Sequence, residues 1–109
     1  MQGDGEVTLT ALETSLRATV QVTVGKGKRL NWPRAETPTH YITMGLNSDL
    51  DEAARLATRE MIDFLVTEKG MKRDEAYILC SLAADLRVTQ LVDGTKGIHA
   101  MVAKSIFTR

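Results

Sequence analysis

Asp49-Leu50-Asp51-Glu52-Ala53-Ala54-Arg55-Leu56-Ala57-Thr58-Arg59-Glu60-Met61-Ile62-Asp63-Phe64-Leu65-Val66-Thr67-Glu68-Lys69-Gly70 is the stretch on which the fold turns. Leu50, Ala53 and Ala54, Ala57, Met61, and Phe64 and Leu65 recur at the spacing of one helical face. Asp49 followed by Glu52 has the form of a capping box, and Gly70 behind Lys69 has the form of a helix stop. The pattern predicts an amphipathic helix from Asp49 to about Lys69. A second is expected from Arg73-Asp74-Glu75, acidic in its first turn, with Leu79, Leu82, Ala83 and Leu86 on one face. Lys72 falls at its N-cap, where a side chain without an acceptor caps poorly.

Toward the N-terminus, His40-Tyr41-Ile42-Thr43-Met44 reads as a short strand stopped by Gly45. Residues 25–39 carry Gly25, Gly27, Pro33 and Pro38 and read as a connection. Before them, Leu16, Ala18, Val20, Val22 and Val24 alternate with Arg17, Thr19, Gln21 and Thr23, the clearest strand signal in the chain. Val7, Leu9 and Ala11 alternate in the opposite phase, so a bend or bulge is expected near Leu12 to Ser15. Toward the C-terminus, Val88 to Val92 reads as a strand closed by Asp93-Gly94, and Ile98 to Phe107 as a helix or strand. The order strand, strand, strand, helix, helix, strand is α+β, with antiparallel strands followed by two amphipathic helices and a C-terminal strand or turn element. One domain over residues 1–109 is expected.

Composition narrows the function. Fourteen Lys+Arg balance 14 Asp+Glu in 109 residues, so no excess positive charge meets a nucleic acid or an anionic membrane, and neither partner is expected. Lys26, Lys28, Arg29 and Arg34 around Trp32 read as a solvated loop. The single cysteine, Cys80, closes no disulfide within the chain and reads as a buried small hydrophobe. With no signal-like N-terminus and no apolar run of membrane-spanning length, a cytoplasmic setting is expected.

Three segments concentrate chemistry. In Gln2-Gly3-Asp4-Gly5-Glu6, the carboxylates of Asp4 and Glu6 share a side if the segment is extended, a pattern suited to a metal or a general base; the plainer reading is a polar turn. Glu36-Thr37-Pro38-Thr39-His40-Tyr41 crowds a carboxylate, two hydroxyls, an imidazole and a phenol onto a rigid turn, where the histidine alone reads as a hydrogen-bonded structural residue. Val92-Asp93-Gly94-Thr95-Lys96-Gly97-Ile98-His99 places Asp93, Lys96 and His99 around a glycine-flanked turn, in which Asp93 could orient an imidazole or accept an amide proton; the alternative is an Asx turn with a solvated lysine.

Together with Ala76-Tyr77-Ile78-Leu79-Cys80-Ser81-Leu82-Ala83-Ala84-Asp85-Leu86-Arg87-Val88, these blocks stand in the order found in the C-terminal part of the acetamidase/formamidase family, which the chain resembles from Gln2 to about Phe107. The resemblance implies a fragment of a larger, mostly-β amidase that hydrolyses small linear amides such as formamide and acetamide to a carboxylate and ammonia. It also implies a divalent metal, zinc in most descriptions of the family. Asp4 and Glu6 match acidic positions of a His-Ala-x-Gln-Gly-Asp-Gly-Glu run and are the expected metal ligands, with Glu6 also the proton carrier and Asp93 a second catalytic carboxylate. Glu36, Thr37, His40, Lys96 and His99 match positions expected to bind substrate. Met1 stands at the x of that run, so the chain is expected to be incomplete and inactive alone. Its expected partners are the amide and either further copies of itself or a separate N-terminal chain; the alternative is a non-catalytic module that pairs through exposed strand edges.

Overall fold

The computed structural model describes residues 1–27 and 29–107; Lys28, in the basic loop, lies outside them. The first strand begins at Arg34. Four strands, β1 (Arg34–Glu36), β2 (His40–Asn47), β3 (Ala84–Gln90) and β4 (Lys96–Ala103), form an antiparallel sheet in the order β1-β2-β4-β3. Helices α1 (Leu50–Lys69) and α2 (Arg73–Ala83) separate β2 from β3, and a 3-10 turn, Lys104–Ile106, follows β4. The α+β class read from the sequence is the class of the structure.

Helix α1 starts and stops where its end signals lie. The Asp49 carboxylate accepts from the Glu52 amide at 2.9 Å, but Glu52 turns to Arg55 and leaves the reciprocal half of the box unmade. Asn47 Oδ1 accepts the Asp49 amide instead, at 2.9 Å. At the other end Gly70 takes a left-handed φ of 68° and donates its amide to Leu65, the conformation for which glycine is suited. In α2 the Glu75 carboxylate accepts the Lys72 amide at 3.4 Å, the one half of the box that a lysine N-cap permits.

Ala53, Ala57, Met61 and Leu65 of α1 make one fully buried stripe, laid against Ile98, Ala100 and Val102 of β4, with Ala76 and Cys80 of α2 closing the side. The stripe is small at its N-terminal end because β2 approaches very closely there. A Cβ on Gly45 would sit 2.3 Å from Ala53 O and 2.4 Å from Ala57 N. The buried Thr43 hydroxyl is satisfied by donating to Ala57 O at 2.9 Å. Gly45 therefore does not stop β2, as its sequence suggests; the strand runs through it to Asn47, and the glycine serves the helix overhead.

Further expectations are corrected. The stretch 25–39, which reads as a connection, contains strand β1, Arg34–Glu36, whose ladder partner is β2. Leu16–Val24 forms no strand and its apolar residues are exposed, Leu16 at 85% and Val22 at 88%. Alternation supplies only a face; a strand also needs a neighbour for its amides and carbonyls, and none is present for this segment among the described residues. The strand expected at Val88–Val92 begins earlier, at Ala84, directly off the last turn of α2. Leu86 therefore belongs to β3, opposite Ala100, and not to a helical face. Ile98–Phe107 resolves as strand and then 3-10 turn. Among the described residues no helix is long and apolar enough to cross a membrane.

Candidate functional site

Because strand side chains alternate, the sheet has a helix face and an open face. Ile98, Ala100 and Val102 of β4 point to the helices, so His99 and Met101 lie on the open face. There His99 neighbours Met44 on β2 and Arg87 on β3. A bulge between Val88 and Gln90 leaves Thr89 without a partner in the register and brings its hydroxyl to 2.7 Å from His99 Nδ1. When Nδ1–H donates to the hydroxyl, Nε2 carries no proton and can accept one; it faces the N-terminal segment.

That segment is held against the end of β3. Gly5 donates its amide to Thr89 O at 3.2 Å and makes a parallel bridge with Gln90, while the Val92 amide donates to Glu6 O at 3.3 Å. Asp4 Oδ2 comes to 3.8 Å from both His99 Nε2 and Arg87 Nη1. The imidazole is largely enclosed, with 12% of its side chain exposed, and Asp4 is open to solvent at 62%. Asp4, Arg87, Thr89 and His99 are thus one cluster, drawn from two strands and the leading segment.

The extended arrangement expected for Asp4 and Glu6 is not adopted. Gly5 has φ 102° and Glu6 φ 35°, so the chain turns sharply between the two carboxylates. Left-handed backbone is costly for a side chain such as that of Glu6. Both residues still line one hollow of 320 Å³ formed by the first dozen residues.

The other expected residues are spread out. Asp93 accepts from Gln90 Nε2 at 3.3 Å, and Gln90 also donates to Thr95 O at 2.8 Å, so it braces the β3–β4 hairpin beside the cluster. Lys96 lies on the helix-face side of β4, opposite to His99 by strand alternation. His40 shares the open face but pairs with Ala103, whereas His99 pairs with Met44, a separation of four residues or about 13 Å along the ladder. Thr37 organises the β1–β2 turn: its amide donates to His40 O and its hydroxyl accepts the His40 amide, each at 2.9 Å. His40 Nδ1 meets the Thr39 hydroxyl at 2.8 Å. Glu36 pairs with Lys104 at 2.5 Å, whose hydrogen bond and charge hold the carboxyl below its ordinary range. Thr37 and His40 therefore stand together, away from Asp4 and His99, while Glu36, opposite Tyr41 in the ladder, lies toward the helix face.

Arg87 and Thr89 belong to no chemical motif in the sequence. They alternate with Asp85, but the face they share follows only from β3 beginning at Ala84. Among the described residues no three His, Cys, Asp or Glu side chains stand close enough to hold a metal ion. Asp4 and His99 offer two donors where catalytic zinc sites use three protein ligands, so these residues do not by themselves make the metal centre that the family resemblance implies.

Among solved structures, the chain is similar to the acetamidase of Yersinia enterocolitica, with 31% identity and a TM-score of 0.74 over 77% of this chain and 26% of that one. An acetamidase from Bacillus halodurans matches at 36% identity and a TM-score of 0.64, covering 69% of this chain and 25% of its own. A predicted acetamidase/formamidase from Thermoanaerobacter tengcongensis, at 22% identity and a TM-score of 0.68 over 74% of this chain and 27% of that one, shares the fold. No family model and no curated protein matches. The chain spans about a quarter of the length of the structures it matches. The class defined by fold and sequence together is that of the acetamidase/formamidase proteins, of which this chain corresponds to a part.

Proposed function

We propose that the chain supplies part of an amidase-type hydrolase acting on the C–N bond of small linear amides, formamide and acetamide being the first candidates, and that it is inactive alone. The observation that carries this is the convergence of Asp4 and His99, from separate matching blocks, in a chain 31% identical to an acetamidase over 77% of its length. In such a hydrolysis the water oxygen bonds to the carbonyl carbon, the C–N bond breaks, and a proton passes from water to the leaving nitrogen. The 3.8 Å between Asp4 Oδ2 and His99 Nε2 exceeds a hydrogen bond and leaves both atoms free to hold a third group such as that water. His99, fixed by Thr89, can take its proton. Glu6, which lines the same hollow as Asp4, would return a proton to nitrogen, and Arg87, 3.8 Å from Asp4, would bind the carboxylate product.

A divalent metal, zinc by family resemblance, would supply a more acidic water and a polarised carbonyl. It would need donors besides Asp4 and His99, from a separate N-terminal chain or another copy. The balanced charge and lone cysteine favour a reducing cytoplasmic setting. Ammonia release from formamide and acetamide by the 109-residue chain, with zinc supplied and bound metal quantified, tests the reading. No turnover without a stoichiometric metal supports an incomplete site. Turnover with about one metal per chain would refute the claim of inactivity.

A further inference from the structure

Among the described residues the outer edge of β3 is unpaired over Ala84–Val88. Among the described residues its sole partner on that side is Gly5, which engages only Thr89 and Gln90. Such an edge is a template for another strand. Beside it, α2 leaves Tyr77, Ile78 and Leu82 exposed at 64, 57 and 80%. With Met61, Leu86 and Ala100 they line a groove of 490 Å³ on the helix face.

The sequence of this edge selects its occupant. Ala84-Asp85-Leu86-Arg87-Val88 is self-complementary about Leu86, reading apolar, acidic, apolar, basic, apolar. We propose that the edge pairs with β3 of a second copy of this chain, antiparallel about a two-fold axis at Leu86, to make a continuous eight-stranded sheet. In that register Asp85 faces Arg87 of the second copy and Arg87 faces its Asp85, on the open face. Leu86 meets its own copy on the helix face, and Ala84 lies opposite Val88. Moving the axis one residue either way puts Arg87 opposite Arg87 or Asp85 opposite Asp85, so charge fixes the register. The ladder ends at Val88, just short of the place Gly5 occupies, and at Ala84, where each chain turns into α2. The two apolar grooves then meet edge to edge, giving the isologous contact a hydrophobic centre. This association does not depend on amide hydrolysis.

Sedimentation equilibrium of the full 109-residue chain at several concentrations reads the dimer directly. Asp85→Arg or Arg87→Asp alone sets two like-charged pairs across the axis and should weaken association about tenfold or more. The double variant Asp85→Arg/Arg87→Asp exchanges the signs and should restore it, with circular dichroism confirming the fold of each. Independently, Leu86→Cys in a Cys80→Ser background should give a disulfide-linked dimer on mild oxidation, because opposed Cβ atoms in a ladder lie about 5 Å apart. Dimerisation unaffected by either single reversal overturns the proposal. So does a monomer at every concentration; amide protection at Val20–Val24 in that monomer would identify the chain's own N-terminal segment as the occupant.

Discussion

Gly45→Ala tests the close approach of β2 to α1. The new Cβ would lie 2.3 Å from Ala53 O, 2.4 Å from Ala57 N and 2.7 Å from Leu56 Cβ. Two of these atoms are helix backbone, so no rotamer change relieves the clash, and α1 must withdraw by about 1 Å to reach an ordinary carbon–oxygen contact. A gap of that size forfeits about a quarter to a half of the dispersion attraction of the atoms that lose contact, here around Ala53, Ala57 and Met61. The expected cost is at the upper end of the overpacking range, about 3 kcal/mol. For a domain of ordinary stability, about 5–15 kcal/mol, that is a large fraction. With a urea m value of about 1.5 kcal/mol/M, the midpoint falls by about 2 M. Gly97→Ala is the control: its Cβ would meet only side-chain atoms, the nearest being Leu46 Cδ2 at 2.9 Å, Gln90 Cγ at 3.2 Å and Thr89 Cβ at 3.3 Å. The two closest belong to flexible side chains that can shift, so it should cost about 1 kcal/mol or less. Urea unfolding followed by circular dichroism compares the two. Equal midpoints, or a Gly45→Ala protein as stable as the parent, would refute the reasoning that β2 and α1 are in backbone contact.

Gly70→Ala should cost about 1 kcal/mol through its φ of 68° alone, since a Cβ there meets nothing within 4 Å; chemical denaturation measures it. Gly5→Ala, at φ 102°, should leave the urea midpoint almost unchanged, because Gly5, although buried, belongs to no strand or helix and the leading segment can detach to relieve the strain, but release Asp4 from His99; an unchanged His99 imidazole resonance by NMR would count against the contact. Glu36 is held below its ordinary value of 4.5 by its hydrogen bond and charge interaction with Lys104. That contribution is present above the unfolded value and lost as pH falls through the lowered folded one, so Lys104→Met should flatten the acid side of the stability profile. Burial pushes the Cys80 thiol above its ordinary value of 9.0, and its reaction with a thiol reagent at neutral pH should be slower than that of an unfolded control.

Where local signals agreed with packing, the fold was legible. Asp49 and Gly70 mark the ends of α1 because capping and left-handed backbone are properties of a few neighbouring residues. The boundary between α2 and β3 was not legible. Leu86 continues the apolar face of α2 at helical spacing, yet it also alternates with Ala84 and Val88, and no glycine or proline intervenes. Pairing with Ala100 decides between the two, and that information lies in β4. The same dependence on a distant partner explains Leu16–Val24, whose alternation is regular but which finds no neighbour among the described residues to complete a ladder.

The candidate site divides along the same line. Asp4 and His99 were recognisable because their residue types and blocks were distinctive, but what brings them together is not in either block. It is the bulge at Thr89, which turns the Thr89 hydroxyl to His99 and exposes the carbonyl that receives Gly5. His40 shows the converse. It has a chemistry-rich local sequence and shares the open face with His99, yet register places it four positions along the ladder, where Thr37 and Thr39 already engage its backbone and ring. A histidine on this sheet is therefore available for chemistry according to what the neighbouring strand leaves beside it. For His99 that is one hydroxyl on Nδ1 and an open carboxylate on the side of Nε2, the arrangement on which the proposed proton transfer rests.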